Sequence, residues 1–115
     1  MNEFKPRTKH GPEWHIQQAI IKKLTLLGWY VNPTHGNMYQ QGFPDLYACH
    51  RSYGTRWIEV KNPKSYKFTA AQIYSFTRMA AEEVGIFVLT SDSDEEYQKL
   101  FQPSNWHLYL SVFKS

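Results

Sequence analysis

Hydrophobic positions along the chain switch period several times, and the switches divide it into elements. Ile16, Ala19, Ile20, Leu24 and Leu27 recur at helical spacing, one turn after Pro12, which suits a first helical turn because its missing N–H would be unpaired there. Gly28 is a natural stop for that helix. Residues 29–32, 45–50 and 55–61 read as three short strands. Residues 51–54 are short enough to join the last two as a hairpin, and Asn62-Pro63 ends the third. A second helix is expected over 70–84, opened by Thr69-Ala70-Ala71-Gln72, which has the form of a capping box, and closed by Gly85. Residues 86–90 form a short apolar strand. Ser93 to Glu96 repeats the capping-box form and opens a helix to about Phe101, Pro103 ends it, and residues 106–113 are expected as a final strand. The order α-β-β-β-α-β-α-β implies an α/β fold, a mixed sheet flanked by helices.

The 115 residues make one domain, with no internal repeat, low-complexity tract or linker. Residues 1–11, carrying Lys5, Arg7 and Lys9, read as a basic N-terminal arm, and 12–115 as a single domain. One cysteine, Cys49, excludes an internal disulfide framework, a Cys-rich zinc site and a cysteine-held iron–sulfur cluster. No apolar stretch approaches the roughly 20 residues of a membrane span and the N-terminus is polar, so a cytoplasmic protein without membrane contact is the expectation.

Charge changes the picture further. The formal net charge is +3 and the pI about 9.0. Residues 1–67 hold ten Lys/Arg against four Asp/Glu, whereas residues 68–115 hold three against six. A basic half in a chain that is 17% aromatic suits a polyanion such as nucleic acid, although an ordinary basic surface would give the same count.

Candidate chemistry concentrates in residues 42–61. Thirteen residues separate Asp45, in Gly42-Phe43-Pro44-Asp45, from Glu59, in Ile58-Glu59-Val60-Lys61. Strand side chains alternate, so Ile58 and Val60 face the core while Trp57, Glu59 and Lys61 face the other way. A hairpin can bring Asp45 alongside Glu59, with the carboxylates and Lys61 converging at the sheet edge. Mg²⁺ takes one or two carboxylates together with waters and phosphate oxygens. Such a cation lowers the pKa of its water and offsets phosphate charge, and a nearby lysine can orient the attacking water. The Val60 backbone carbonyl would face the same site. Taken singly, Glu59 and Lys61 would be a surface ion pair and Asp45 a turn residue; the combination is what points to phosphodiester hydrolysis.

With these residues the sequence resembles the PD-(D/E)XK nuclease superfamily, Pro44-Asp45 and Glu59-Val60-Lys61 standing as its signature. It is most similar to stand-alone virus-type replication-repair nuclease (VRR-NUC) domains and, more distantly, to archaeal-type Holliday-junction resolvases. The resemblance covers about residues 12–90 and implies a restriction-endonuclease-like α-β-β-β-α-β core, leaving 91–115 as a C-terminal α-β extension. It implies catalytic roles for Asp45, Glu59, Lys61 and Gln72, the last placed early in the second helix after Thr69. It implies a Mg²⁺ or Mn²⁺ site formed by Glu13, Asp45, Glu59 and the Val60 carbonyl. Glu13 in the first turn also suits the helix dipole without any metal. The candidate nucleic-acid contacts are Lys64 and Lys67, close after the active strand, Gln17, one turn beyond Glu13, and His35, whose polar loop composition equally suits a plain loop residue. The chain departs from the branch in lacking its Val-Arg-Arg triplet; Gln40-Gln41 stand in the nearby loop instead.

Three functions follow as alternatives. One is a divalent-metal-dependent endodeoxyribonuclease acting on branched, Holliday-junction-like DNA, expected as a homodimer because resolvase-like members pair two sites. Another is a nuclease-fold nucleic-acid-binding module, or a cleaving subunit that takes its specificity from a partner. The third is an interaction protein docking through its acidic C-terminal half.

Overall fold

A computed structural model of the chain describes residues 11–34 and 42–114, with side chains described as far as residue 110. The elements run α1 (Pro12–Leu26), β1 (Tyr30–Pro33), β2 (Leu46–His50), β3 (Gly54–Val60), α2 (Ala70–Ala81), β4 (Ile86–Leu89) and α3 (Asp94–Gln98), followed by 3₁₀ segments Lys99–Phe101 and Trp106–Lys114. The four strands form one sheet in the order β1-β2-β3-β4. β1 and β2, and β2 and β3, pair antiparallel; β3 and β4 pair parallel, with α2 as the crossover between them. The sheet is therefore mixed, as the order of elements implies.

Both faces of the sheet are covered. On one, Ile20 and Leu24 of α1 pack with Trp29, Leu46, Ala48, Ile58, Val60, Leu89 and Leu100. On the other, Phe76 of α2 packs with Phe68, Ile86, Val88 and Trp106, and Trp57 leans on this second cluster. Alternation along β3 is as expected, but neither of its faces meets solvent at the C-terminal end. β3 lies inside the sheet, so Glu59 and Lys61 occupy a covered interior position rather than an edge.

Helix ends follow local chemistry. Gly28 closes α1 with φ +95°, and the Trp29 and Gly28 amides return to the carbonyls of Leu24 and Thr25. α2 stops at Ala81, three residues short of the expected end, in the same motif: the Val84 amide returns to Met79 and the Glu83 amide to Ala80. Here Glu83, not Gly85, takes the left-handed conformation, with φ +67°. Gly85 serves close packing instead, since a Cβ there would lie 2.5 Å from Cβ of Ser104.

The expected strand over 106–113 is a 3₁₀ segment. Trp106 is buried and Tyr109 and Leu110 lean on the same cluster, whereas Leu108 is 66% exposed, which is helical spacing rather than alternation. A fifth strand also has no free ladder to join at Val88. The Asn105 side chain takes that edge, accepting the Val88 N–H at 2.7 Å and donating to its carbonyl at 3.2 Å.

Candidate active site

The Pro44-Asp45 segment is fixed on several sides. Gly42 takes φ +86°, and a Cβ there would stand 2.6 Å from the Ala71 carbonyl oxygen of α2. Pro44 is fully buried and its carbonyl accepts the Thr34 hydroxyl, while the Thr34 N–H donates to the Asp45 carbonyl at 2.9 Å. Leu46 pairs with Ile58 and Tyr47 with Trp57. One residue beyond the last pair, that register sets Asp45 opposite Glu59, as the hairpin argument expects. The Asp45 Oδ2 accepts the Val60 N–H at 2.8 Å, extending the ladder with a side chain.

Glu59 is 1% exposed and Lys61 4%. Buried charges at such cost are tolerated only when paired. The Lys61 Nζ lies 3.1 Å from Glu59 Oε2, donates to the Lys67 carbonyl at 2.8 Å and to Gln72 Oε1 at 3.2 Å, and sits 4.6 Å from the Phe68 ring centroid. Three acceptors match its three protons.

Gln72 links this cluster to the start of α2. Its Nε2 donates to Glu59 Oε2 at 2.7 Å. Its Oε1 accepts the Thr69 N–H at 3.1 Å, while the Thr69 hydroxyl accepts the Gln72 N–H at 3.0 Å. The capping box is therefore complete, and the same amide that caps the helix holds the carboxylate.

One oxygen is left over. Among the described residues Glu59 Oε1 is buried with no hydrogen-bond partner. Burial and the neighbouring Asp45 charge push the Glu59 carboxyl up to about 8, against the opposing pull of Lys61 and Gln72. Burial also raises Asp45, opposed by the Val60 N–H. Two carboxylates facing each other in a covered site repel, and one proton or one cation relieves them.

The remaining expected residues divide. Glu13 lies near enough for its charge to act on Asp45, but its Oε2 accepts the Asn62 N–H at 3.1 Å. Among the described residues no three His, Cys, Asp or Glu side chains form a metal-holding group, so the carboxylates brought together are the pair Asp45 and Glu59. Gln17 is half-buried on α1. Lys64 and Lys67 are exposed after β3, and Lys67 reaches the site through its carbonyl. His35 and the basic residues of the N-terminal arm lie outside the described residues. Sequence reading missed Phe68 and the Lys67 carbonyl; neither has a signal in spacing, because their place depends on how the loop after Asn62 folds back over Lys61.

No family model matches the sequence, and no curated protein matches it. A solved VRR-NUC domain is similar in structure, with a TM-score of 0.64 and 20% identity over 78% of this chain and 95% of that chain. At that identity the likeness speaks for the architecture, and it agrees with the mixed sheet flanked by helices. The chain has the VRR-NUC-like nuclease fold.

Proposed function

We propose that this chain is a divalent-metal-dependent DNA endonuclease that hydrolyses phosphodiester bonds in branched DNA, working as a homodimer. The observation that carries this reading is the unpartnered Glu59 Oε1, buried opposite Asp45. Leaving a buried acceptor unsatisfied costs about 1–3 kcal/mol, and a cation shared with Asp45 would satisfy it, as would a proton shared between the two carboxylates.

The donors fit a hard cation. Asp45 and Glu59 supply carboxylate oxygens. In an extended strand a residue's N–H and C=O point to the same edge, so the Val60 carbonyl shares the side on which Asp45 takes its N–H. These three would hold Mg²⁺ or Mn²⁺, with Glu13 beside them. When bound, the ion would supply a water of lowered pKa and charge to offset the phosphate. Gln72 holds the Glu59 carboxylate in orientation through Oε2 and leaves Oε1 free. Lys61 neutralises that carboxylate and places positive charge next to the reacting phosphate. Donation from Lys61 to an attacking water requires exchange of one of its three bonds, of which the bond to the Lys67 carbonyl lies in a loop.

The test is cleavage of four-way, flap and linear DNAs in Mg²⁺ and Mn²⁺, with chromatography to size the protein. Asp45→Ala and Glu59→Ala should lose cleavage by orders of magnitude while remaining folded. Undiminished metal-dependent cleavage by either folded variant refutes the assignment. Salt-dependent DNA binding with no hydrolysis in any divalent metal would favour a binding module.

A further inference from the structure

One exposed aromatic ring, Phe43, stands beside the Pro44-Asp45 segment and takes no part in the carboxylate cluster. Phe43 is 45% exposed and Tyr74 65%. Phe43 precedes Asp45 by two residues, whereas Tyr74, two residues after Gln72 in a helix, points away from the Gln72 face. The Phe43 backbone cannot drift, because Gly42 on one side is packed against Ala71 and Ser75 of α2 and Pro44 on the other is fully buried. Its ring meets Trp57 edge-on at 6.3 Å, and Trp57 meets Tyr47 edge-on at 5.0 Å, so it is supported from behind. On α2, Ala71, Tyr74, Ser75 and Arg78 fall on one stripe by helical spacing. Gly42 rests on that stripe at Ala71 and Ser75, so Phe43 borders the helix face on which the exposed Arg78 follows Ser75 by one turn.

Phe43 packs one side against Trp57 and leaves nearly half of its surface in solvent. Rings beside a cation are the composition that binds single-stranded nucleic acid, where bases stack on aromatic faces and a guanidinium meets the backbone phosphate. Fully paired duplex keeps its bases stacked inside and offers such rings nothing comparable.

We propose that Phe43, with Arg78 on the neighbouring α2 stripe, forms a stacking platform for an unpaired nucleobase of DNA next to the scissile phosphate, and so selects branched or single-stranded substrate over duplex. This rests on the nuclease reading for its link to cleavage, but the platform is measurable by binding alone.

The probes are a single-stranded oligonucleotide carrying 2-aminopurine and a fully paired duplex of the same length, titrated in EDTA. Phe43→Ala should weaken single-strand binding by about tenfold and duplex binding by less than about twofold, as expected for loss of one base stack. Phe43→Tyr keeps the ring and should bind as the parent does; Phe43→Leu keeps the bulk without the π face and should fail as the alanine variant does. Unchanged single-strand binding in Phe43→Ala, equal loss on both probes, rescue by leucine, or no DNA binding by the parent protein each overturns the platform. Absence of cleavage in Mg²⁺ and Mn²⁺, with the binding contrast intact, would defeat the nuclease reading and leave the platform standing.

Discussion

Replacing Glu59 by glutamine should make the metal-free protein more stable at mildly alkaline pH. The Glu59 carboxyl is pushed up to about 8 from an ordinary value of 4.5, first by burial and then by Asp45. The folded protein therefore keeps this proton through a range in which the unfolded chain has released it. Its contribution to stability is complete below about pH 4.5 and is forfeited as pH rises through about 8. Each tenfold in proton affinity is worth about 1.4 kcal/mol, so the gap corresponds to roughly 4–5 kcal/mol. Water entering the ionised site reduces the loss, and about 2–4 kcal/mol should be measurable. In Glu59→Gln the side-chain oxygen can still accept from Gln72 and Lys61, and the new amide N–H can face Asp45. Urea melts of both proteins in EDTA, from about pH 5 to about pH 8.5, should diverge: the parent loses stability relative to the variant as pH rises. Divalent metal should restore the parent and leave the variant unchanged, because only a ligand that binds the native state raises its stability. Parallel pH profiles for the two proteins would refute the argument that Glu59 is an ionisable group held in a repulsive pair.

The other expectations concern the parts that hold the site. Gln72→Ala removes the bond to Glu59, leaves the Thr69 N–H without an acceptor and takes one of the three acceptors of Lys61; it should cost about 2 kcal/mol by urea melt, more than Thr69→Ala, which loses the cap at about 1 kcal/mol. Glu83→Gly should stabilise the protein by about 1 kcal/mol in a thermal melt, because it relieves a left-handed residue at the end of α2. Asn105→Leu frees the Val88 N–H and carbonyl at the edge of β4; it should cost about 2 kcal/mol and raise the tendency to aggregate, checked by melting and light scattering.

Much of the scaffold was legible because it depends on neighbours in sequence. Pro12 and Gly28 mark α1, Thr69 and Gln72 cap α2, and the thirteen residues between Asp45 and Glu59 are the length a hairpin needs to set them opposite one another. The misreadings are of another kind. The segment 106–113 has apolar residues that fit either period, and what decides is Trp106, whose place against Phe76 at 5.5 Å depends on a helix thirty residues earlier. Glu83 carries no signal for a left-handed backbone, whereas Gly85 carries one it does not use. Val60 and Ile58 read as core residues and are; Glu59 between them is expected on the opposite face at a sheet edge, and alternation has no means of showing that β4 pairs beyond β3 and α2 covers that face.

That last difference bears on mechanism. A carboxylate on a wet sheet edge would keep an ordinary pKa and bind a cation weakly, in competition with water. The same residue enclosed by α2 on one side and β4 on the other is poised: its charge is unfavourable without a partner, and Lys61 and Gln72 together satisfy only one of its two oxygens. The capping box is what maintains this state. Thr69 fixes the Gln72 amide with its oxygen toward Lys61 and its N–H₂ toward Glu59, so the start of α2 and the orientation of the carboxylate are one structure. Burial that would be a defect in an inert sheet would, in the metal-dependent hydrolase proposed above, favour the ion: relief of the repulsion between Asp45 and Glu59 would add to the free energy of binding it.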